Sequence, residues 1–153
     1  MKSKSIKESQ VIMHELVLPN DTNVLGNVHG GRVMCLMDIC AAMSAYKHAR
    51  QPVVTASVDR LDFLAPAKKG DILILKSSVN FTGVTSMEVG VRIDSESPTT
   101  GKKTHTASAY LTFVSLTDDM KKNKVPKIIP DTIEENRRFE EGKLRYSLRR
   151  NQK

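Results

Sequence analysis

The sequence has no tryptophan and few other aromatic residues, with four phenylalanines and three tyrosines among 153 residues. Its core must therefore be built mainly from aliphatic side chains. There are only two cysteines, Cys35 and Cys40. Helical geometry would turn them about 140° apart, so we expect two small buried apolar residues rather than a disulfide. The four histidines are scattered, and none lies at metal-ligand spacing from a cysteine, so no metal is expected.

Long apolar runs are also missing. No segment approaches the roughly 20 residues that a membrane helix needs, so no membrane insertion is expected. The first ten residues, MKSKSIKESQ, contain no apolar h-region, which predicts the absence of a secretory signal and a cytoplasmic location.

The net charge of +7 is unevenly distributed. Residues 137–153 hold seven basic and two acidic residues, and the remainder of the chain is nearly neutral. A basic tail of this kind can bind nucleic acid, but it shows no interleaving of aromatic and basic residues. We interpret it as a solvated helix end and expect no nucleic-acid partner.

Turn residues and hydrophobic periodicity divide the chain into a flexible N-terminus (1–10), a single domain (11–130) and a C-terminal helix with a basic tail (131–153). The last helix begins at a capping box formed by Thr132 and Glu135, and Gly142 is its weak point. Its few apolar residues place it on the surface. The predicted strands cover 11–18, 53–63, 71–81, 85–94 and 104–116.

The segment Val33–Tyr46, VMCLMDICAAMSAY, has twelve apolar residues out of 14 and favours a helix. A helix that is apolar on nearly all sides is expected to be buried on nearly all sides. Short turns join the later strands, so the fold predicted is α+β, an antiparallel sheet wrapped around this helix. One sheet shields only one face of the helix. The sequence therefore predicts a homodimer in which sheets join edge to edge and helices pack side by side.

Asp38 is the chemical anomaly of this helix, because an unpaired buried carboxylate is costly. A structural Asp bonded to the backbone is one explanation. The upstream context favours another, because Asn23 and the pair Gly30–Gly31 precede it, and a helix N-terminus that begins with glycines offers free N–H groups to an oxyanion. A substrate carbonyl at the glycines and a water near Asp38 would then meet.

The string PNDTNVLGNVHGGRVMCLMD resembles the signature region of hotdog-fold acyl-coenzyme A thioesterases, in the cytosolic long-chain acyl-CoA hydrolase group. Further similar segments follow in order along residues 11–147: VTASVDRLDFLAP, KKGD, FTGVTSMEVGV, SAYLTFVSL and VPKIIPDTIEENRRFEEGKLRY. The family fold is a long helix wrapped by an antiparallel sheet, as the pattern of elements predicts.

The resemblance implies hydrolysis of acyl-CoA to fatty acid and CoA without a cofactor. Asp38 matches the family's helix carboxylate, as general base or nucleophile, and Asn23 matches a residue that positions water or thioester. The resemblance also implies sites shared between two protomers and dimers that associate into hexamers, a trimer of dimers. Gly30 or Gly31 would stabilise the oxyanion. We expect His29 to shape the site, although its place beside the glycines makes it an alternative catalyst.

The CoA phosphates need cations and polar groups. Candidates for this contact flank the region in which the family holds the nucleotide: Arg60, Lys68, Lys69, Thr85 and Ser86, with Gly83 offering an accessible backbone. For the five side chains, an ordinary exposed position at a strand end is the better-supported explanation. Met34, Met37 and Met43 are either tunnel or core residues. A non-enzymatic acyl-CoA sensor on the same fold is the alternative function. A hydratase is disfavoured because the predicted helix, Val33–Tyr46, carries no histidine.

Overall fold

The computed structural model describes residues 1–152, and Lys153, the last residue of the predicted basic tail, lies outside them. The element order is β–β–α–β–β–β–β–β–α, with short 3-10 turns at Ile6–Ser9 and Pro19–Asp21. The strands are β1 (Lys4–Ser5), β2 (Val11–Leu16), β3 (Val53–Phe63), β4 (Ile72–Thr82), β5 (Ser86–Glu96), β6 (Lys103–Ser115) and β7 (Ile128–Ile129), and the helices are α1 (Gly30–Ala49) and α2 (Ile133–Asn151).

Five strands form one antiparallel sheet in the order β2-β4-β5-β6-β3. The predicted antiparallel α+β fold is therefore confirmed, and β4, β5 and β6 form the expected meander. Strands β2 and β3 are the two edges of the sheet. Bulges interrupt the pairing of β3 with β6 after Thr55 and after Val58, and they bend this edge strand.

Helix α1 crosses one face of the sheet. It begins three residues earlier than predicted, at Gly30, and ends where Arg50 adopts a left-handed conformation (φ 53°) before Pro52. One side of α1 packs on aliphatic residues of the inner face of the sheet and forms the core of the domain. The side chains that α1 buries are Val33, Leu36, Met37, Cys40, Ala41, Ser44, Ala45, His48 and Ala49.

The N-terminus differs from the flexible segment expected at 1–10. Strand β1 pairs in parallel with β7, and the side chain of Ile6 belongs to the core with 2 % exposure. The Lys4 ammonium donates a 2.7 Å hydrogen bond to the carbonyl of His48. A short polar segment can be fixed in this way because one apolar anchor and a few backbone hydrogen bonds suffice.

Helix α2 lies on the outer face of the sheet, as predicted from its few apolar residues. Its cap is a variant of the predicted capping box: Glu135 N–H donates to the Thr132 hydroxyl at 3.0 Å, but the Glu135 carboxylate accepts from the Asp131 N–H instead of from Thr132. Gly142 is a close-packing point rather than a weakness, since an added Cβ would lie 3.0 Å from the Cβ of Phe81.

The contact between α2 and the sheet includes a buried ion pair, which the sequence did not predict. Arg145 donates two hydrogen bonds, at 2.8 and 2.7 Å, to the carboxylate of Glu88, which is 2 % exposed. The guanidinium also lies 3.7 Å from the ring centroid of Tyr110. Near the end of the helix Arg149 pairs with Asp59. Part of the basic tail is therefore neutralised within the fold and is not a wholly solvated end.

Candidate active site

The carboxylate of Asp38 is held by the neighbouring edge strand. Its Oδ1 accepts a 2.6 Å hydrogen bond from the hydroxyl of Thr55, the third residue of β3. Asp38 is only partly buried, whereas the sequence predicted a buried position. Among residues 1–152, its Oδ2 has no hydrogen-bond partner. One oxygen is therefore fixed and the other is free to accept a proton or to attack.

Thr55 is the site residue that the sequence reasoning missed. Its only signal in the sequence is its place among the β-branched residues at the start of β3, which predicts a strand and nothing more. The contact depends on where α1 crosses the edge of the sheet, so no local pattern reveals it.

The side of α1 that turns away from the sheet is not covered within the chain. This open face carries exposed apolar side chains around Asp38: Met34, Cys35, Ile39, Met43 and Tyr46. As predicted, the single sheet covers only one side of this apolar helix. The expected burial of Cys35 is wrong for the single chain, whereas Cys40 is buried as predicted. Of the three methionines expected in either a tunnel or the core, Met37 belongs to the core, and the other two lie on the open face.

Asn23 belongs to a tight loop between two bridged positions, Thr22 and Val28. Its side-chain Oδ1 accepts from the backbone N–H groups of Leu25 (2.9 Å) and Asn27 (3.2 Å). Because both partners are donors, the orientation of the amide is fixed by the network. The amide nitrogen Nδ2 is therefore the group that Asn23 presents to its surroundings.

The N-terminus of α1 supplies the backbone donors that the glycine pair predicted. The first intrahelical hydrogen bond runs from Val33 N–H to the carbonyl of His29, so the N–H groups of Gly30 and Gly31 precede it. An added Cβ on Gly31 would meet nothing within 4 Å, whereas one on Gly30 would lie 3.5 Å from the ring of Phe63. The backbone at Gly31 is thus open to a ligand. His29 is the exposed N-cap residue, without a side-chain capping bond.

Within one chain, the candidate site residues form two separate sets. One set lies at the start of α1, and the other consists of Asp38 and Thr55. The start of α1 lies beside Phe63, which pairs with Ala107 on β6, whereas Thr55 pairs with Phe113. Six residues of β6 separate the two positions, or about 20 Å of strand. Along the helix, Asp38 lies about 12 Å beyond Gly30. Its carboxylate turns to Thr55 and not toward the glycines.

The predicted CoA-binding residues divide in the same way. Lys68 and Lys69 contact the Asn23 loop: Lys68 is bridged to Asn27, and Lys69 N–H donates to the carbonyl of Gly26 at 3.0 Å. Arg60 is highly exposed and pairs with Asp62 at 2.8 Å.

The other three CoA-binding candidates form the turn between β4 and β5, at the end of the sheet nearer Thr55. Met87, the second residue of β5, shares its partner Phe113 with Thr55. Gly83 is packed under helix α2, since an added Cβ would lie 3.1 Å from the ring of Tyr146. Its small size is thus explained by packing, while the other two remain candidates: Thr85 and Ser86.

Two further features bear on the chemistry. Among residues 1–152 no group of three or more histidine, cysteine, aspartate or glutamate side chains is arranged to hold a metal ion. Neither helix in this range is both long enough and apolar enough to cross a membrane.

Solved structures resemble this fold over nearly its full length. The crystal structure of an apo-hexameric acyl-CoA thioesterase has a TM-score of 0.95 and 42 % identity, with 99 % of this chain and 97 % of that chain covered. An acyl-CoA hydrolase from Staphylococcus aureus, solved with butyryl coenzyme A, coenzyme A and coenzyme A disulfide, has a TM-score of 0.91 and 39 % identity over 98 % of this chain and 92 % of that one. Other structures of that hydrolase carry alanine in place of one aspartate, one asparagine or one threonine.

Sequence comparison gives the same relationship. The chain is 39 % identical over 144 residues to the cytosolic acyl coenzyme A thioester hydrolase of Mus musculus. That match covers 93 % of this chain but 38 % of the mouse protein, so the chain spans well under half the length of this relative. Residues 25–102, which include most of the candidate site, match the model of the thioesterase superfamily. The chain belongs to the thioesterase superfamily and has its hotdog fold.

Proposed function

We propose that the protein hydrolyses fatty acyl-CoA to a free fatty acid and CoA, with Asp38 as general base or nucleophile. The observation that carries this proposal is the hydrogen bond between Thr55 and Asp38, which holds a carboxylate at the open face of α1. A carboxylate fixed by one oxygen and free at the other is suited to activate water or to attack a carbonyl. The acyl-CoA hydrolases among the similar structures support the substrate class.

The spacing of three residues supports the assignment of roles. In the S. aureus hydrolase, the asparagine and the aspartate that were replaced by alanine are 15 positions apart, and the aspartate and the threonine are 17 apart. Asn23, Asp38 and Thr55 have the same two intervals here. We therefore assign this chain's positioning amide, carboxylate and orienting hydroxyl to these three residues.

The reaction uses few groups. In one route, Asp38 takes a proton from water, and the resulting hydroxide attacks the thioester carbonyl. In the other, Asp38 attacks directly, and water then hydrolyses the anhydride. In both routes the N–H of Gly31, with that of Gly30, binds the oxyanion, a contribution of about 3 kcal/mol. Asn23 donates from Nδ2 to the carbonyl or to the water, and CoA leaves as its thiolate. The chemistry requires no cofactor.

A homodimer completes this site. Asp38 and the glycine pair are about 12 Å apart along α1, too far to act on one carbonyl group from a single chain. A two-fold axis beside the β3 edge would pack the open faces of two α1 helices and bring the Asn23 loop of one protomer to Asp38 of the other. Each dimer then holds two sites. We propose further that three dimers associate, as in the hexameric thioesterase with the similar fold. Helix α2 covers part of the outer face of the sheet, so only the remainder of that face is free for this contact.

The same two-fold arrangement gathers the polar groups for CoA. Lys68 and Lys69 accompany the Asn23 loop, whereas Thr85 and Ser86 accompany Thr55, so a site shared by two protomers collects both sets. Arg60 lies on the β3 edge between them. Phosphate groups bind such cations and hydroxyls by charge-assisted hydrogen bonds. We propose a cytoplasmic location, because a cytosolic hydrolase is among the relatives.

Thiol release from acyl-CoA esters of increasing chain length tests the proposal. Wild-type protein should turn over at least part of the series, and Asp38→Asn should lose at least about 100-fold in kcat while it keeps its fold. The amide is nearly isosteric with the carboxylate and cannot act as a base. Tight binding of acyl-CoA without turnover by wild-type protein would instead support the acyl-CoA sensor.

A further inference from the structure

Two large apolar residues are highly exposed at the tip of the Asn23 loop. Val24 and Leu25 have relative exposures of 103 % and 79 %. They directly follow the residue that we assign to thioester positioning. Single exposed apolar residues are common on protein surfaces, but two in succession at such a site call for an explanation in terms of what covers them.

The loop that carries them is rigid in its construction. Asn23 Oδ1 accepts from Leu25 N–H, and Asn23 N–H donates to the carbonyl of Asn27 at 2.8 Å. Gly26 has a φ of +80°, a conformation that favours glycine and closes the turn. The carbonyl of Gly26 is in turn bound by Lys69 N–H. The side chains of Val24 and Leu25 are thus presented in a fixed position relative to Asn23.

The open face of α1 offers the matching apolar surface. Met34 and Ile39 flank Asp38 on this face, with exposures of 47 % and 44 %. Within one chain, the loop tip is anchored at Lys69, beyond the N-terminus of α1, and Asp38 lies about 12 Å along the helix from Gly30. The tip and the surface around Asp38 therefore meet only when two chains come together.

We infer that Val24 and Leu25 of one protomer form a wall of the acyl-chain channel around the partner's Asp38, opposite the open face of that helix, and that they limit the length of acyl chain accepted. The inference rests on the proposed function. Its chemistry is apolar contact: the fixed amide of Asn23 positions the thioester, and the two residues after it lie where the acyl carbons adjoining that thioester must pass.

Leu25→Trp tests the inference, because a larger side chain on a rigid loop narrows the channel. The kcat/KM for palmitoyl-CoA should fall about tenfold relative to that for acetyl-CoA, since the fit of even one methylene group in a hydrophobic pocket changes kcat/KM by about this factor. Leu25→Ala should shift the preference in the opposite direction. Leu144→Trp, at another highly exposed leucine on α2, is the matched control and should leave the ratio unchanged.

Co-assembly tests the partner arrangement. Leu25→Trp and Asp38→Asn chains with different affinity tags would be expressed together, and the mixed dimers purified. If the loop acts across the interface, the one active site in a mixed dimer combines the intact Asp38 with a wild-type loop, so its chain-length profile is that of wild type. If loop and carboxylate act within one chain, the mixed dimer shows the Leu25→Trp profile, and the inference is overturned.

Failure of the proposed function and failure of the role assigned to the loop tip would give different results. Wild-type protein that hydrolyses no acyl-CoA would remove the proposed function itself. Wild-type protein that is active, with a chain-length ratio that neither Leu25 variant changes, would remove only the role of the loop tip.

Discussion

The hydroxyl of Thr55 donates a 2.6 Å hydrogen bond to Oδ1 of Asp38 and thereby connects the edge strand β3 to the open face of α1. The two residues are 17 positions apart, and the C-terminal half of the helix and a turn lie between them. Because its hydroxyl contacts this carboxylate, we regard Thr55 as a positioning residue. Replacement of Thr55 should therefore reduce activity less than replacement of Asp38.

Thr55→Val removes the hydroxyl and keeps the shape of the side chain. A hydrogen bond to a charged group contributes about 1.5–3 kcal/mol, so kcat should fall by roughly 10- to 100-fold, less than in Asp38→Asn. The free energy of unfolding should change little, because the pair is partly exposed. Steady-state thiol release and thermal melting of both variants measure the two effects. An unchanged kcat in folded Thr55→Val protein would remove the orienting role.

Gly31 and Gly142 form a matched pair that separates a site role from a packing role. A Cβ at Gly31 meets nothing within 4 Å, but one at Gly142 would meet Phe81 at 3.0 Å and the Glu88 carboxylate at 3.1 Å. Gly31→Val should therefore lower kcat/KM with a small change in Tm, because the side chain obstructs the substrate. Gly142→Val should lower Tm, and its activity per folded molecule should remain close to wild type. Equal losses of Tm in the two variants would argue for close packing at both glycines.

The fold was predictable from the sequence because each main element has a strong local signal. The predicted bounds of β3 agree with the structure, and those of the other four long strands are within two residues of it at each end. The apolar segment around Asp38 likewise predicted α1. The position of the glycine pair at the helix N-terminus followed from the same pattern and is confirmed.

The contacts that the sequence did not predict all depend on where elements cross. The local sequence predicts only that Thr55 lies in a strand. Its contact with Asp38 depends on where α1 crosses the edge of the sheet. Glu88 reads as the polar half of an alternating strand, which predicts a solvent-facing side chain, yet α2 buries it with Arg145. The open face of α1, by contrast, follows from the sequence, because its apolar composition predicts burial and one sheet cannot cover both sides of the helix.

The pair of Glu88 and Arg145 makes α2 part of the stable fold. Removal of one partner leaves a buried charge without compensation, so Arg145→Met should lower the free energy of unfolding by about 3 kcal/mol. The double variant Glu88→Met with Arg145→Met should recover part of this loss, because apolar side chains of similar size can replace a buried pair. Guanidinium denaturation of the single and double variants measures the coupling. Additive losses would show that the pair contributes little.

Buried His48 predicts a dependence of stability on pH. Its Nε2–H donates to the carbonyl of Pro126 at 2.6 Å, and its Nδ1 is buried without a partner among the described residues. Burial lowers the pKa of His48 from its ordinary value of 6.5, and the positive charge of Lys4 acts in the same direction, while the bond to Pro126 and the carboxylate of Glu8 oppose it.

Because the folded state holds the neutral imidazole, the unfolded chain binds more protons below pH 6.5, and stability is lost as the pH falls through that value. His48→Gln keeps a donor for Pro126 and does not titrate. Its Tm should therefore decline less between pH 7 and pH 5 than that of wild type, because an unperturbed histidine in the unfolded chain gains its proton in about this range. Parallel decline of the two Tm values would exclude His48 as the cause.

Mixing two inactive chains tests whether the catalytic groups act across an interface. Asn23→Ala and Asp38→Asn should each form dimers with little activity, because each site lacks one group. If Asn23 of one protomer serves the partner's Asp38, a mixed dimer carries both lesions in one site and an intact pair in the other. Random reassociation of equal amounts yields about half mixed dimers, and one of the two sites in each is active, so the mixture should regain about a quarter of wild-type activity.

Sedimentation at micromolar concentration checks that dimers have formed. If the mixture stays inactive while mixed dimers are present, both residues act within one chain, and the shared site is wrong. The regained activity distinguishes the two arrangements because, if both residues act within one chain, each site of a mixed dimer still carries one lesion and stays inactive.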